Sequence, residues 1–251
     1  MDGQPKKERM KAWLRSEEYA LKYTQFLSVA ESLCSLAQQK LPEIEAISET
    51  FFAQTAHTEA ATNSGLHRGY YCPSLIYDLI VGGVKRGRLL KKLTARSKSY
   101  FLYGFDDRNR LIWSKHFINN YRVQTEYFLH TDESIYGFTV DAKGRLEIIT
   151  EEVYEDNRLV CYRHVLAVSS ENGVEPVQMM QEEYTYDNEG LLCCDWYSLH
   201  PGIYLLKHEK VTFTRKDGYL AQYCVDLLIG SEGQEVFKSG DVFDSLVERK
   251  A

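Results

Sequence analysis

The chain has 251 residues, 44% apolar and 26% charged, with a net charge of −6; this is the balance of one large or two modest globular domains, not of a disordered chain. No run reaches the length of about eighteen apolar residues that a membrane span needs, and the opening MDGQPKKERMKAW lacks the apolar core of a secretory signal. Cys34, Cys72, Cys161, Cys193, Cys194 and Cys224 form no CxxC pair, and no histidine spacing completes a zinc site; the expectation is reduced thiols in a cytoplasmic protein, with no metal and no cofactor.

The first elements read as helical. From about residue 6 to 40, Trp13, Ala20, Leu27 and Cys34 recur at heptad spacing, with Tyr23, Ala30 and Ala37 between them. Pro42 reads as a boundary, with Glu43 and Glu45 in the first turn of a second helix where acidic groups suit the helix dipole. Ile44, Ile47 and Phe51 give that helix one apolar face, and Asn63-Ser64-Gly65 reads as its end. Pro73 opens a third, shorter helix containing Leu75, Ile76, Leu79 and Ile80, broken at Gly82-Gly83.

From about residue 99 the period changes. Short Tyr-, Phe- and Val-rich runs alternate with Asp/Asn/Gly turns, the pattern of consecutive hairpins. Asp141-Ala-Lys-Gly144 and Asp187-Asn-Glu-Gly190 predict a type I turn in which Asp caps the backbone ahead and glycine supplies a positive φ. Asn109 serves the same purpose in Asp106-Asp-Arg-Asn109. Asp156-Asn157 and Asp217-Gly218 predict two-residue type I′ turns.

The units YGFDDRNRLIW, YGFTVDAKGRLEII and YTYDNEGLLCCDW carry a Tyr-x-Phe/Tyr-Asp-x-x-Gly/Asn-x-Leu core. Over residues 99–225 this resembles the YD repeats of bacterial Rhs-type and teneurin-like proteins. The resemblance implies the hairpin chemistry. The chain is too short for the Rhs shell, and its helical start departs from that family. In size and style it is also similar to immunity proteins encoded beside polymorphic toxins; no motif residue aligns, so no functional residue carries over. The expected fold is α+β: N-terminal helices packed on a large antiparallel β-meander of about eight to ten strands, one face on the helices and the other in solvent. Residues 1–98 form the helical region and 99–251 the sheet, together one compact unit.

Charge is unevenly spread. From Lys85 to Arg122 there are eleven basic and two acidic residues, and from Glu126 to Gly190 fifteen acidic and four basic. Glu151, Glu152, Glu155, Asp156, Glu182, Glu183 and Asp187 are the candidate partner-binding residues, an acidic sheet surface suited to a basic protein such as a nuclease toxin. The competing reading is a solvated strand face that discourages edge aggregation. Lys85, Arg86, Arg88, Lys91, Lys92, Arg96 and Lys98 form a basic patch that could grip phosphates or hold the domain's own acidic strands; the acidic pI of 5.7 argues against non-specific nucleic-acid binding.

No HExxH, GxSxG or P-loop occurs, so no catalytic residue is assigned. His116 and His164 lie in strands where they could approach one another. The leading expectation is a non-enzymatic protein-binding protein, an immunity protein that neutralises a cognate toxin domain with no membrane involvement. The alternatives are a hydrolase with a site between helices and sheet, and a nucleic-acid-binding module using residues 85–98.

Overall fold

A long helix sets the frame. In the computed structural model, which describes residues 6–80, 84–94, 96–171, 173–216, 219–229 and 233–241, α1 (Lys6–Trp13) is followed by α2 (Glu17–Ala53). Ser16 caps α2: its Oγ accepts a hydrogen bond from the Tyr19 amide at 3.1 Å, with Glu17 and Glu18 in the first turn. Tyr19, Tyr23, Ala30, Leu33, Cys34, Ala37, Ile44 and Phe51 are buried along one face, at the three- and four-residue spacing of a helix stripe.

The boundary expected at Pro42 is absent, because α2 runs through it. Pro42 lies on the exposed side of the helix, where water can take the carbonyl it frees. The helix then stops at Ala53, ten residues before the expected end. Residues His57–Thr62 form strand β1, which pairs along its whole length with β3 (Tyr100–Phe105). Tertiary pairing overrides local helix propensity here. A four-residue helix, α3 (Tyr77–Ile80), stands where the third helix was expected; Gly82-Gly83 lies outside the described residues.

The remaining strands are β2 (Leu89–Leu90), β4 (Leu111–Ile118), β5 (Tyr121–His130), β6 (Ser134–Asp141), β7 (Leu146–Glu155), β8 (Arg158–Ser170), β9 (Gly173–Asp187), β10 (Gly190–His200), β11 (Leu205–Lys216), β12 (Tyr219–Ile229) and β13 (Gly233–Asp241). Among the described residues they make one thirteen-stranded antiparallel sheet, in the order β13 down to β3 and then β1 and β2. The fold is therefore sheet-dominated, with modest helices. Two of its strands, β1 and β2, come from the region expected to be helical.

The turn chemistry follows the sequence. Asp141 Oδ1 accepts from the amides of Lys143 (2.7 Å) and Arg145 (2.9 Å), and Gly144 has φ +82°. Asp106 Oδ1 does the same for Arg108 and Arg110, with Asn109 at φ +61°. Asp156 and Asn157 have φ +49° and +62°, the signs of a type I′ turn. Asn119 and Asn120 form another such pair, at +52° and +66°. Asp217-Gly218 lies outside the described residues.

Strand alternation sorts the side chains onto two faces. Trp113, Tyr127, Phe138, Ile149, Val165, Met179, Leu199 and Leu206 are successive cross-strand partners from β4 to β11. They pack with the buried stripe of α2 in one apolar cluster. Each fully buried side chain of this kind contributes about 1.5–3 kcal/mol.

The opposite face was expected in solvent; much of it is covered instead, while Leu166 and Val168 at the far end of β8 remain exposed. Residues 63–80 and 84–88, almost without regular structure, lie across it. Ile76 and Leu79 pack there with Leu159, Tyr162, Tyr184, Cys194, Val211, Phe213, Tyr223 and Val225.

Candidate functional site

Beneath this covering segment the sheet presents polar groups where an apolar layer would be expected. Glu126 precedes Tyr127 and Thr150 follows Ile149, so both point away from α2. Glu152, Tyr162 and Glu182 are cross-strand partners on the same face. Glu126, Thr150, Glu152, His164 and Glu182 are all buried.

Arg68, itself buried, reaches down from the covering segment into this layer. Its Nη2 donates to Glu126 Oε1 at 2.8 Å and to Thr150 Oγ1 at 3.1 Å, its Nε to Glu126 Oε2 at 3.1 Å, and its Nη1 to Glu152 Oε1 at 2.5 Å. The two carboxylates hold the guanidinium well above its ordinary pKa despite the opposing effect of burial. The space exists because Gly137 lies below: a Cβ there would come within 2.3 Å of both Glu126 Oε1 and Thr150 Oγ1.

The backbone at Arg68 is left-handed, with φ +60°, followed by Gly69 at +58°. Tyr103 fixes this bend: its hydroxyl donates to the Arg68 carbonyl at 2.8 Å and accepts from the Tyr70 amide at 3.1 Å. A Cβ on Gly69 would collide with the Phe101 ring at 2.6 Å. A non-glycine residue in this region stores strain, which the surrounding contacts offset.

Further along, Ser74 Oγ lies 2.8 Å from each oxygen of Glu182. The Tyr184 hydroxyl also donates to Glu182 and accepts from the Leu75 amide at 3.1 Å. Burial pushes the Glu182 carboxyl up to about 7, against the lowering effect of the Tyr184 and Ser74 hydrogen bonds and the Arg86 charge. Arg86 clasps the segment onto itself, donating to the carbonyls of Cys72 and Ser74 and to Asp78 Oδ2.

His164 does not meet His116. Its ring lies edge-on to His67, with centroids 5.0 Å apart, while His116 stacks on Phe101 and bonds Asn63 Oδ1 at 2.8 Å. His67 Nε2 lies 3.3 Å from Thr139 Oγ1 and 3.5 Å from Glu126 Oε2. Burial and the Arg68 charge bring His67 down to about 3; burial and the neighbouring His67 bring His164 down to about 3. Both are neutral near pH 7, and the guanidinium fills the space beside them. The arrangement fastens the segment to the sheet. Among the described residues, no group of three His, Cys, Asp or Glu is placed to hold a metal ion, and no helix is long and apolar enough to cross a membrane.

The seven acidic candidates do not share a surface. Glu152 and Glu182 are buried under the covering segment, correcting their assignment to a solvent-facing patch. Glu151 lies on the other face and pairs with Arg163, and Glu183, also on that face, accepts from Gln181 Nε2 at 2.6 Å. Glu155 and Asp156 are exposed at the β7–β8 tip. Asp187, at the β9–β10 tip, pairs with Arg215 at 2.8 Å. The basic candidates divide likewise. Arg86 is internal, as above, whereas Lys85, Arg88, Lys91, Lys92, Arg96 and Lys98 are exposed.

Sequence reasoning missed Glu126, Arg68 and Ser74. One signal was present: Glu152 and Glu182 stand two residues from Tyr154 and Tyr184, on the same face of their strands, as members of a packed layer would.

In a meander, alternate turns share one end of the sheet. The β3–β4, β5–β6, β7–β8 and β9–β10 tips therefore form a single rim. Asp107, Asp132, Glu133, Glu155, Asp156 and Glu189 are exposed there. The tips adjoin: the Tyr154 amide, at the end of β7, donates to the Glu133 carbonyl at 3.0 Å. Arg110 and Arg215 are occupied by Asp106 and Asp187, leaving Arg108, Arg158 and Lys216 as the other cations at this end among the described residues. No protein-family model matches this sequence, and no curated protein sequence matches it.

Proposed function

We propose that the chain is a non-enzymatic protein-binding protein of the immunity type, which neutralises a basic toxin domain through its acidic rim. The observation that supports this reading is the convergence of Asp107, Asp132, Glu133, Glu155 and Asp156 on one end of a rigid sheet, exposed and without ion-pair partners among the described residues. Tight turns between hydrogen-bonded strands present these charges at fixed spacing, so complementarity to a basic groove costs little ordering entropy. The buried carboxylates take no part in binding; they anchor the covering segment. The binding surface thus moves from the strand faces to the hairpin tips.

The test is co-purification from the native cell with wild-type protein and with the Asp132→Lys/Glu133→Lys/Glu155→Lys variant. The proposal expects a basic partner that is toxic when expressed alone, is neutralised by the wild type and is not captured by the variant. A partner held equally by both proteins would remove the rim from the account.

A further inference from the structure

The other end of the meander has the opposite character. Lys98 runs beside the β4–β5 tip, where the Asn120 amide donates to its carbonyl at 2.7 Å. Tyr100 is the cross-strand partner of Phe117, and Phe117 of Arg122. The Tyr100 and Phe117 rings stack with centroids 4.7 Å apart and planes within 14°. Arg122 reaches the β6–β7 turn, donating to the Ala142 carbonyl at 3.3 Å, which brings Lys143 into the same corner. Tyr121, at the tip, is 77% exposed, the most exposed of the large apolar side chains among the described residues, and Ile118 beside it is 40% exposed.

These cations lack counter-charges. Among the described residues no carboxylate pairs with Lys98, Lys115, Arg122 or Lys143. The nearby acids are engaged elsewhere: Asp141 with Arg145 at 2.6 Å, and Glu147 with Gln124 at 2.9 Å. Lys115 lies over the Phe52 ring at 3.8 Å. Its ammonium is held below the usual lysine value by burial and by the charge of Arg122. Like charges gathered without neutralisation, in a chain of net charge −6, cost free energy that a bound anion would recover.

We infer that the corner formed by residues 98–100, 115–122 and 142–145 binds single-stranded nucleic acid, its phosphates on Lys98, Lys115, Arg122 and Lys143 and a base on Tyr121. Unpaired cations alone would suit any polyanion. The exposed tyrosine ring among them favours a ligand that carries flat aromatic groups between its charges. Asn119 and Asn120, both left-handed, make the tip a tight two-residue turn with Tyr121 exposed beside it. This surface lies at the end opposite the acidic rim, so the two proposals stand or fall separately.

The test is fluorescence anisotropy of a labelled polypyrimidine oligonucleotide of about fifteen nucleotides with the full chain, at about 50 and about 200 mM salt. The expected result is binding that weakens at least about tenfold between the two salt concentrations, is abolished by Lys98→Glu/Arg122→Glu/Lys143→Glu, and falls about five- to tenfold in Tyr121→Ala. These are surface positions, and circular dichroism confirms that each variant is folded. No binding at the lower salt concentration, or unchanged binding by the triple variant, overturns the site. Unchanged binding by Tyr121→Ala, or displacement by polyglutamate as effective as by unlabelled oligonucleotide, overturns nucleic acid as its ligand in favour of an acidic protein.

Discussion

Ser74 Oγ lies 2.8 Å from both carboxylate oxygens of Glu182, so a single hydroxyl ties the covering segment to the centre of the sheet. The carboxyl is buried and pushed up to about 7 from its ordinary 4.5. The folded state therefore holds a proton that the unfolded state releases. The stabilisation is fully present below pH 4.5 and is lost as pH rises through about 7. Glu182→Gln keeps the shape of the protonated acid and removes the titration. Measured by urea unfolding, wild type should lose up to about 3 kcal/mol relative to this variant between pH 4.5 and pH 8.

The two histidines act in the opposite direction. His67 and His164 are both lowered to about 3. Their contribution is present above the unfolded value near 6.5 and is lost as pH falls towards 3. NMR titration of the histidine rings should show both neutral at pH 5, and His164→Asn should be less acid-sensitive than wild type over that window.

Arg68 is the ion on which two buried carboxylates depend. Arg68→Ala leaves Glu126 and Glu152 without their cation, and should cost about 3–5 kcal/mol in urea unfolding. Arg68→Lys should recover only part of this, because an ammonium cannot reproduce the fork to Glu126 and the third bond to Glu152.

Gly137 provides the space below that guanidinium. Gly137→Ala places a methyl within 2.3 Å of Glu126 Oε1 and Thr150 Oγ1, and should destabilise by about 1–3 kcal/mol. Gly202 is the control, because a methyl added there would meet nothing within 4 Å; Gly202→Ala should fall within about 0.5 kcal/mol of wild type.

The hairpins were legible because their determinants are local. Asp141, Gly144, Asn109, Asp156 and Asn157 each act on backbone within four residues, and their types state the φ they tolerate. The apolar face under α2 was legible from two periods that meet, 3.6 in the helix and 2 in the strands. The burial of Glu152 and Glu182 was not legible. Alternation tells which residues share a face, but not whether that face is covered. The cover here is residues 63–80 and 84–88, which carry no period and are fastened to the sheet through Arg68, Ser74 and the Ile76 and Leu79 side chains. Nor could spacing show that the tips holding Asp132, Glu133, Glu155 and Asp156 lie side by side; that follows from the strand order.

The central claim is that these tips bind a basic partner protein. Its most direct test is the affinity of the co-purified partner, by calorimetry, for wild type and for Asp132→Lys/Glu133→Lys/Glu155→Lys. The account predicts a loss of at least about a hundredfold in the variant, and wild-type binding that weakens with salt. Equal affinities for the two proteins would contradict it.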